Sequence, residues 1–331
     1  MRNKSIRYYI ILFCMVLFAA FSGCAKGDGA STASRADNTP VRIGSLKGPT
    51  TMGLVNLTDD VESGAADADY TFTMATQADE LAAKLVSGDL DIALLPANAA
   101  AALYQKTDGG ITVIDINTLG VLYLVTGRED ISSIRDLAGQ KVLTTGQGTT
   151  PEYVLRYLLE EYGVTDCRTE FKSEATELAA ILSEDPQQIA ILPQPFATSA
   201  LMQNDALRSA FSLSQEWEKL ENGSLMVTGV TVVRTQFLSE HPDAVKTFLQ
   251  YHQESAQKAL EDPEKTAQLI AAQGIIEKSA VAERALPCCG IACITGDEMK
   301  EALSGYLTVL YEQDPSSVGG ALPEDSFYFI K

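Results

Sequence analysis

Basic residues are few in this 331-residue chain: Lys and Arg total 25 against 44 Asp and Glu, a formal net charge of −19. Nucleic-acid binders normally carry a basic face, so no nucleic-acid partner is expected. Histidine occurs twice, as His241 beside Pro242 and as His252 further along the same expected helix. Neither has an evident nucleophile or metal partner in the sequence, and both are read as structural. No G-x-S-x-G, Walker-type loop or Rossmann fingerprint stands in its proper context. No catalytic residue, metal or cofactor is therefore expected, and the chain is read as a non-enzyme. Cysteine is sparse beyond the N-terminal segment, limited to Cys167, Cys288, Cys289 and Cys293. "CCGIAC" lacks histidine and paired C-x-x-C spacing, which argues against a zinc site and for a structural role, either as a local disulfide or as buried free thiols, with the pairing open.

The N-terminal apolar run, Tyr8 to Phe21, has roughly 14 residues, short of the ~20 that span a bilayer and fitting a secretory leader. Arg2, Lys4 and Arg7 precede it and "FSGC" closes it at Cys24. This pattern resembles the lipobox of bacterial lipoproteins, with Phe21 standing where that motif usually has Leu. The resemblance implies cleavage after residue 23, lipidation of Cys24 and an anchor on the outer face of the cell membrane. Two acyl chains suffice for stable anchoring. Residues 24–331 carry 22 basic and 44 acidic side chains, so the folded part is soluble and disfavours anionic membrane surfaces. Residues 24–40 are small and polar with no hydrophobic period and read as a flexible tether.

From residue 41 the pattern is α/β. Val41–Leu46 alternates as a strand, Lys47–Thr51 turns, and Thr50 or Thr51 is expected to cap one helix through Met52, Leu54, Val55 and Leu57. Tyr70–Met74, Leu90–Leu95, Ile111–Asn117, Gly120–Thr126, Lys141–Thr144, Ile189–Leu192 and Leu225–Val233 read as further strands. Helices are expected over Gln77–Val86, Ala97–Gln105, Ile131–Leu137, from Pro151 through Leu159, and over Pro242–Leu260, Pro263–Ala272, Lys278–Leu286 and Asp297–Glu312. The tail "GGALPEDSFYFI" is expected to pack on the first lobe. Alternating strands and helices imply mostly parallel sheets with helices on both faces.

The chain also repeats itself. "GDLDIALLPANAA" at 88–100 has an echo in "DPQQIAILPQPFA" at 185–197, with Ala78, Glu80, Leu81 and Leu85 matching Ala175, Glu177, Leu178 and Leu182. Gly48 and Thr50 likewise stand one hundred positions before Gly148 and Thr150. Two lobes of one design would each present two polar loops at strand ends, where parallel α/β sheets bind ligands. The loops are Lys47–Thr51 and Pro96–Asn98 in one lobe, Gly146–Thr150 and Pro193–Pro195 in the other. Facing each other, they would offer helix N-termini to a small anion or polar ligand.

Together "VRIGSLKGPTTMG", "GDLDIALLPANAA", "SIRDLAGQKV", "ILPQPFATSAL", "EHPDAVKTFL" and "GGALPEDSFYF" make the chain resemble solute-binding proteins of bacterial ABC importers. Within these it is most similar to the nitrate/sulfonate/taurine and pyrimidine-precursor group. The resemblance implies the two-lobed type II periplasmic-binding-protein fold, with lobe 1 formed by 41–124 and 227–331 and lobe 2 by 125–226. A two-strand hinge is implied near Tyr123–Thr126 and Met226–Thr231. The expected solute contacts are Lys47, Thr50, Thr51, Asn98, Gln147, Thr149, Thr150 and Gln194, with Thr228 and Gly229 at the hinge. Lys47 is a counter-charge or a solvated loop lysine, and Thr50 and Thr150 are equally readable as helix caps. Phe196 and Tyr123 could stack on a planar solute or belong to the core. The implied partners are a small-molecule solute, an ABC permease with its ATPase, and the membrane through the lipid anchor; a monomer is expected. Two alternatives stand beside this: an enzyme on the same fold, of the menaquinone-pathway dehydratase or pyrimidine-synthase type, and a ligand-sensing module for a membrane receptor.

Overall fold

The computed structural model describes residues 39–330. The expected leader, Cys24 and nearly all of the tether lie outside the described residues. The described chain forms two mixed sheets, not the mostly parallel ones expected, because in each a later-returning or crossing strand pairs antiparallel beside a parallel trio. The first has strand order β11-β4-β10-β3-β1-β2, and the second β7-β6-β8-β5-β9. In the first sheet β1 is Val41–Leu46, β2 Tyr70–Ala75, β3 Ile92–Pro96, β4 Ile111–Leu119, β10 Val227–Arg234 and β11 Ile291–Ile294. In the second, β5 is Leu122–Thr126, β6 Lys141–Thr144, β7 Arg168–Phe171, β8 Ala190–Pro193 and β9 Arg208–Ser212.

The sequence repeat is an architectural one. β1 runs parallel to β2 and β3 in the first sheet, and β6 runs parallel to β7 and β8 in the second. The trios β2-β1-β3 and β7-β6-β8 share one order. Their connecting helices α3 (Ala78–Ser87) and α6 (Ala175–Glu184) are both ten residues long. Each buries the matching leucines, Leu81 and Leu85 in one and Leu178 and Leu182 in the other, because residues four apart share one helix face. Beside each trio the next strand is antiparallel, β10 against β3 and β5 against β8.

The remaining helices are α1 (Pro49–Met52), α2 (Val55–Glu62), α4 (Ala97–Lys106), α5 (Thr150–Glu161), α7 (Phe196–Gln203), α8 (Leu213–Glu218) and α9 (Thr235–Glu240). The C-terminal third supplies α10 (Pro242–Glu261), α11 (Pro263–Ala272), α12 (Ser279–Ala285) and α13 (Gly296–Gln313). Pro stands in the first turn of α1, α5, α10 and α11, where its missing N–H would have had no helical partner. None of these helices is long and apolar enough to cross a membrane. The C-terminal tail packs on the first sheet as expected: the Phe329 N–H donates to the Val113 carbonyl at 2.9 Å and Phe327 is fully buried.

Several elements differ from the sequence expectation. The single helix expected through Leu57 is two, broken at Gly53 and Leu54. The helix expected over Ile131–Leu137 is one 3₁₀ turn, Ile134–Leu137, its entry fixed by Asp136, whose carboxylate accepts the Ser132 and Ser133 N–H groups. β7, β9 and β11 were not anticipated. The chain passes between the sheets at Gly120 and Val121, so β5 begins two residues before the expected Leu124 limit of the first lobe.

The bottom of the first sheet is clasped by Asp91, whose side chain is 2% exposed. Arg42 on β1 grips it through Nε at 2.8 Å and Nη2 at 2.7 Å, and Arg234 at the end of β10 adds Nη2 at 2.6 Å. Burial alone would push the Asp91 carboxyl up, but the hydrogen bonds from Arg42 and Arg234 outweigh it and hold it below the ordinary range. The folded value lies below the unfolded one of about 3.9, so the contribution is complete above about pH 5 and is lost as pH falls below 4. Asp91→Asn is expected to lower unfolding stability by about 2–3 kcal/mol at pH 7, less than a fully buried pair because Arg42 is half-exposed. Urea unfolding at pH 7 and pH 3.5 checks this: the difference between variant and wild type should shrink at the lower pH.

Candidate functional site

The direction of winding reverses beside β1 in the first sheet and beside β6 in the second. The loops leaving β1, β3, β6 and β8 therefore flank the crevices where open α/β sheets take ligands. After β1, Pro49 opens the four-residue helix α1 with Gly48 at its cap position. The Thr50 and Thr51 hydroxyls both donate to the Leu46 carbonyl at 2.6 Å, and Thr51 also meets the Ser45 hydroxyl at 2.9 Å. These two threonines do not cap α1, contrary to expectation; they turn back to close the end of β1. Their hydroxyl protons are committed inside the fold, and both side chains are buried. Lys47 is exposed, with its N–H bonded to the Ala75 carbonyl.

After β3, Pro96 pairs with Gly229 of β10. A Cβ on Gly229 would lie 2.5 Å from Asn117 Oδ1 and 2.7 Å from Thr50 Cγ2. Only glycine lets β10 approach here, and so Thr50, Gly229 and Pro96 meet at one place. Asn98 lies half-buried in the first turn of α4. Its side-chain amide has no hydrogen-bond partner among the described residues, and the first N–H groups of α4 have no helical acceptor. Thr228 is half-buried beside Gly229.

The loops of the second sheet are built differently. Gly146 (φ +75°) and Gly148 (φ +71°) take left-handed backbone between β6 and α5, which favours glycine. The Thr149 hydroxyl donates to the Gly146 carbonyl at 2.7 Å, and the Gly148 N–H donates to the Glu152 carboxylate at 2.7 Å. An acid of the chain itself thus occupies one N–H of the loop expected to face a solute. Gln147 and Thr149 are exposed, whereas Thr150 sits against the buried Tyr306 of α13. Tyr153 closes this side, donating to the Gly148 carbonyl and to Asp314 just past α13, each at 3.0 Å.

Gln194 is 4% exposed. Its Oε1 accepts the Thr198 hydroxyl at 2.8 Å and the Thr198 N–H at 3.3 Å, and its N–H donates to the Val121 carbonyl. It lines a cavity of about 140 Å³ with Tyr123, Thr198, Ser209, Arg284 and Cys288. None of these comes from the other three loops, so Asn98 and Gln194 are not brought into one cavity here. Tyr123 spans the two parts of the fold, donating from its hydroxyl to the Cys288 carbonyl at 3.2 Å. Burial pushes its phenol well above the ordinary range. Phe196 lies on the opposite face of α7, where with Ser199 and Met202 it lines a groove of about 620 Å³ against Ile276 and Val281. It is separate from Gln194's cavity.

Sequence reasoning missed Arg284 and Ser209. Arg284 is exposed on α12 without an acidic partner among the described residues, and it is the basic side chain at this cavity. Nothing in "SAVAERALPCC" marks it, because its role arises only when α12 packs against α7. All four cysteines of the described chain are free thiols. Burial pushes Cys167 up to about 11 and Cys289 up to about 12, which keeps both protonated at neutral pH.

A family model described as menaquinone biosynthesis matches residues 49–285. No curated protein sequence matches the chain. Among solved structures, an ABC transporter protein of Parabacteroides distasonis is similar at 24% identity, covering 88% of this chain and 99% of its own, with a TM-score of 0.74. The periplasmic aliphatic sulphonate-binding protein of Escherichia coli is similar at 14% identity, covering 87% and 95%, with a TM-score of 0.67. The periplasmic nitrate-binding protein of Synechocystis matches at 14% identity over 87% and 83%, with a TM-score of 0.56. At such identities the likeness shows the fold, which is the expected two-sheet periplasmic-binding-protein architecture.

Gly229→Ala tests the convergence of loops in the first sheet. The added methyl must displace Thr50 or Asn117, so a stability loss of about 1–3 kcal/mol is expected. Urea unfolding measures it, and an unchanged midpoint would show that β10 does not approach Thr50 this closely.

Proposed function

The chain belongs to the menaquinone-biosynthesis family, and from that premise and its binding-protein fold we propose that it captures a small anionic or polar organic solute for import. In this reading it is the extracytoplasmic solute-binding component of an ABC importer, a monomer that delivers its solute to a permease and ATPase. The observation that carries it is the duplicated strand–loop–helix unit, which presents corresponding strand-end loops from two sheets. The lobes would be 41–124 with 227–331 and 125–226, closing about a hinge near residues 123–126 and 226–231. Relatives of the same fold named for aliphatic sulphonate and nitrate support a small anion.

Asn98 offers an unpartnered amide, Arg284 and Lys47 offer positive charge, and Thr50, Thr51 and Gln147 line the strand ends. Thr149, Thr150, Gln194, Thr228 and Gly229 complete the proposed contact set. Sulfonate-, taurine- or nitrate-like solutes and pyrimidine-like heterocycles fit these groups. A second reading, an enzyme of the menaquinone pathway, is favoured by the family model itself, which spans residues of both sheets.

A thermal-shift panel of taurine, alkylsulfonates, nitrate, pyrimidines and menaquinone-pathway intermediates separates these readings. A ligand at 100 times its Kd stabilises by about 2.7 kcal/mol. Asn98→Ala should weaken a positive hit roughly tenfold, the equivalent of one hydrogen bond of about 1.4 kcal/mol. Mass spectrometry after incubation should return the solute unchanged. Conversion to product would replace capture by catalysis, and a panel with no shift would remove these solute classes.

Anchoring through Cys24 is proposed on the N-terminal pattern alone. Cys24→Ser is expected to release the protein from membranes or to leave the leader uncleaved, as read by fractionation and intact mass. Retention with normal cleavage would overturn the anchor.

A further inference from the structure

A buried polar column lies behind α1, outside the proposed solute contacts. Asp115 of β4 is fully buried; its Oδ1 accepts the Thr231 hydroxyl at 2.8 Å and its Oδ2 lies 3.1 Å from His252 Nδ1. Asn117 donates to Thr231 at 3.2 Å and accepts from Thr118 at 2.8 Å, which carries the column toward Gly229. His252, from the middle of α10, is also fully buried, and its Nε2 has no hydrogen-bond partner among the described residues. Cys293 of β11 completes the cluster. One donor atom from each of Asp115, His252 and Cys293 lies within 4.8 Å of the other two.

Packing alone leaves two features unexplained. Buried carboxylates are normally paired with a cation, and Asp91 has its two arginines. Asp115, equally buried, has only the imidazole as ion-pair partner among the described residues. Buried polar atoms are normally hydrogen-bonded, and His252 Nε2 is not. A cation held between Asp115 and His252 Nδ1 accounts for the first of these.

We propose that Asp115, His252 and Cys293 form a binding site for a zinc-class divalent transition-metal ion, which ties β4, α10 and β11 together behind the cleft. The oxygen, nitrogen and sulfur donor set suits such an ion and not magnesium or calcium, which favour oxygen donors alone. Metal–donor distances of roughly 2.0–2.3 Å place the donors of a tetrahedral site roughly 3.3–3.8 Å apart. From separations of up to 4.8 Å, the cluster must contract by up to about 1–1.5 Å to reach that spacing. His252 binds through Nδ1, the nitrogen 3.1 Å from Asp115 Oδ2.

Charge balances as well. One carboxylate and one thiolate neutralise the divalent ion, which suits a largely buried site. Binding breaks the Cys293 S–H bond, forms a sulfur–metal bond and releases one proton to solvent, with no electron transferred. Without an ion, burial and the neighbouring Asp115 charge keep the Cys293 thiol protonated. Three protein donors leave the fourth position to water, which can approach past the half-buried Cys293. Asp115 stands 137 residues before His252, and Cys293 a further 41 beyond it, so no local spacing announces the site.

The test uses the full purified chain, stripped with chelator and titrated with Co²⁺. One ion per chain and a near-ultraviolet thiolate-to-cobalt absorption band are expected, both displaced by Zn²⁺. Calorimetry in two buffers of different ionisation enthalpy should show release of about one proton per ion. Cys293→Ser, nearly isosteric and at a half-buried position, should abolish the band and weaken Zn²⁺ binding at least tenfold. Cys288→Ser should leave both unchanged. Absence of the band in the wild-type chain, its persistence in Cys293→Ser, or its loss in Cys288→Ser would each overturn the site. No solute is needed, so the result is independent of the import reading.

Discussion

The first sheet depends on a strand that arrives late. β10 lies between β3 and β4 and pairs antiparallel with both, yet more than a hundred residues and the entire second sheet separate it from β4 in sequence. Without β10 the parallel trio and β4 have no shared ladder, and the backbone groups along β3 and β4 lose their partners. A buried unpartnered backbone group costs as much as a lost hydrogen bond, so the first sheet is completed only by β10. The site depends on the same strand, because Gly229 allows the approach that brings β10 to Thr50 and Pro96. Arg234 at the far end of β10 fastens the sheet's bottom to Asp91.

The duplication gives two sets of corresponding strand-end loops, and the two sets are not alike. The two parallel trios share order and helix length, but their loops have diverged chemically. In the first sheet, threonine hydroxyls turn back to the strand end and Asn98 keeps an unpartnered amide. In the second, Glu152 neutralises the glycine loop and Gln194 is drawn into holding Thr198. The first sheet therefore offers unspent hydrogen-bonding capacity, and the second, with Arg284 beside Gln194, offers positive charge near a small cavity. A capture protein and an enzyme can both arise from such a frame, since fold alone does not decide function.

Much of this was legible in the residues. β1 falls on Val41–Leu46 and α11 on Pro263–Ala272, as alternation and a proline-led helical run indicate. The repeat located both parallel trios because equivalent leucines had to face equivalent cores. Other elements were hidden for physical reasons. β7 ("RTEF") is a short edge strand with two exposed residues and no apolar alternation, and β11 sits inside a cysteine-rich run that carries no strand signal. Gly53 breaks the first helix, yet a lone glycine within a helical pattern is usually tolerated. For the site, strand-end loops could be found from topology, but side-chain direction could not. Thr50 and Thr51 turn back, Phe196 faces the outer groove, and Arg284 reaches the cavity from a helix about 90 residues after Gln194. His252, read as a structural residue, proves to be one corner of a three-residue cluster assembled by tertiary packing.

The contact between Glu152 and the Gly148 N–H has a consequence for selectivity. A tethered carboxylate is present at high effective concentration and does not diffuse away. A free anion arriving at that loop gains only the difference between its own hydrogen bonds and those of the resident side chain. On the import reading proposed above, weakly accepting anions would be screened out at modest abundance, while one that makes further contacts would displace the carboxylate. The loop would then act as a threshold, the chain supplying its own competitor.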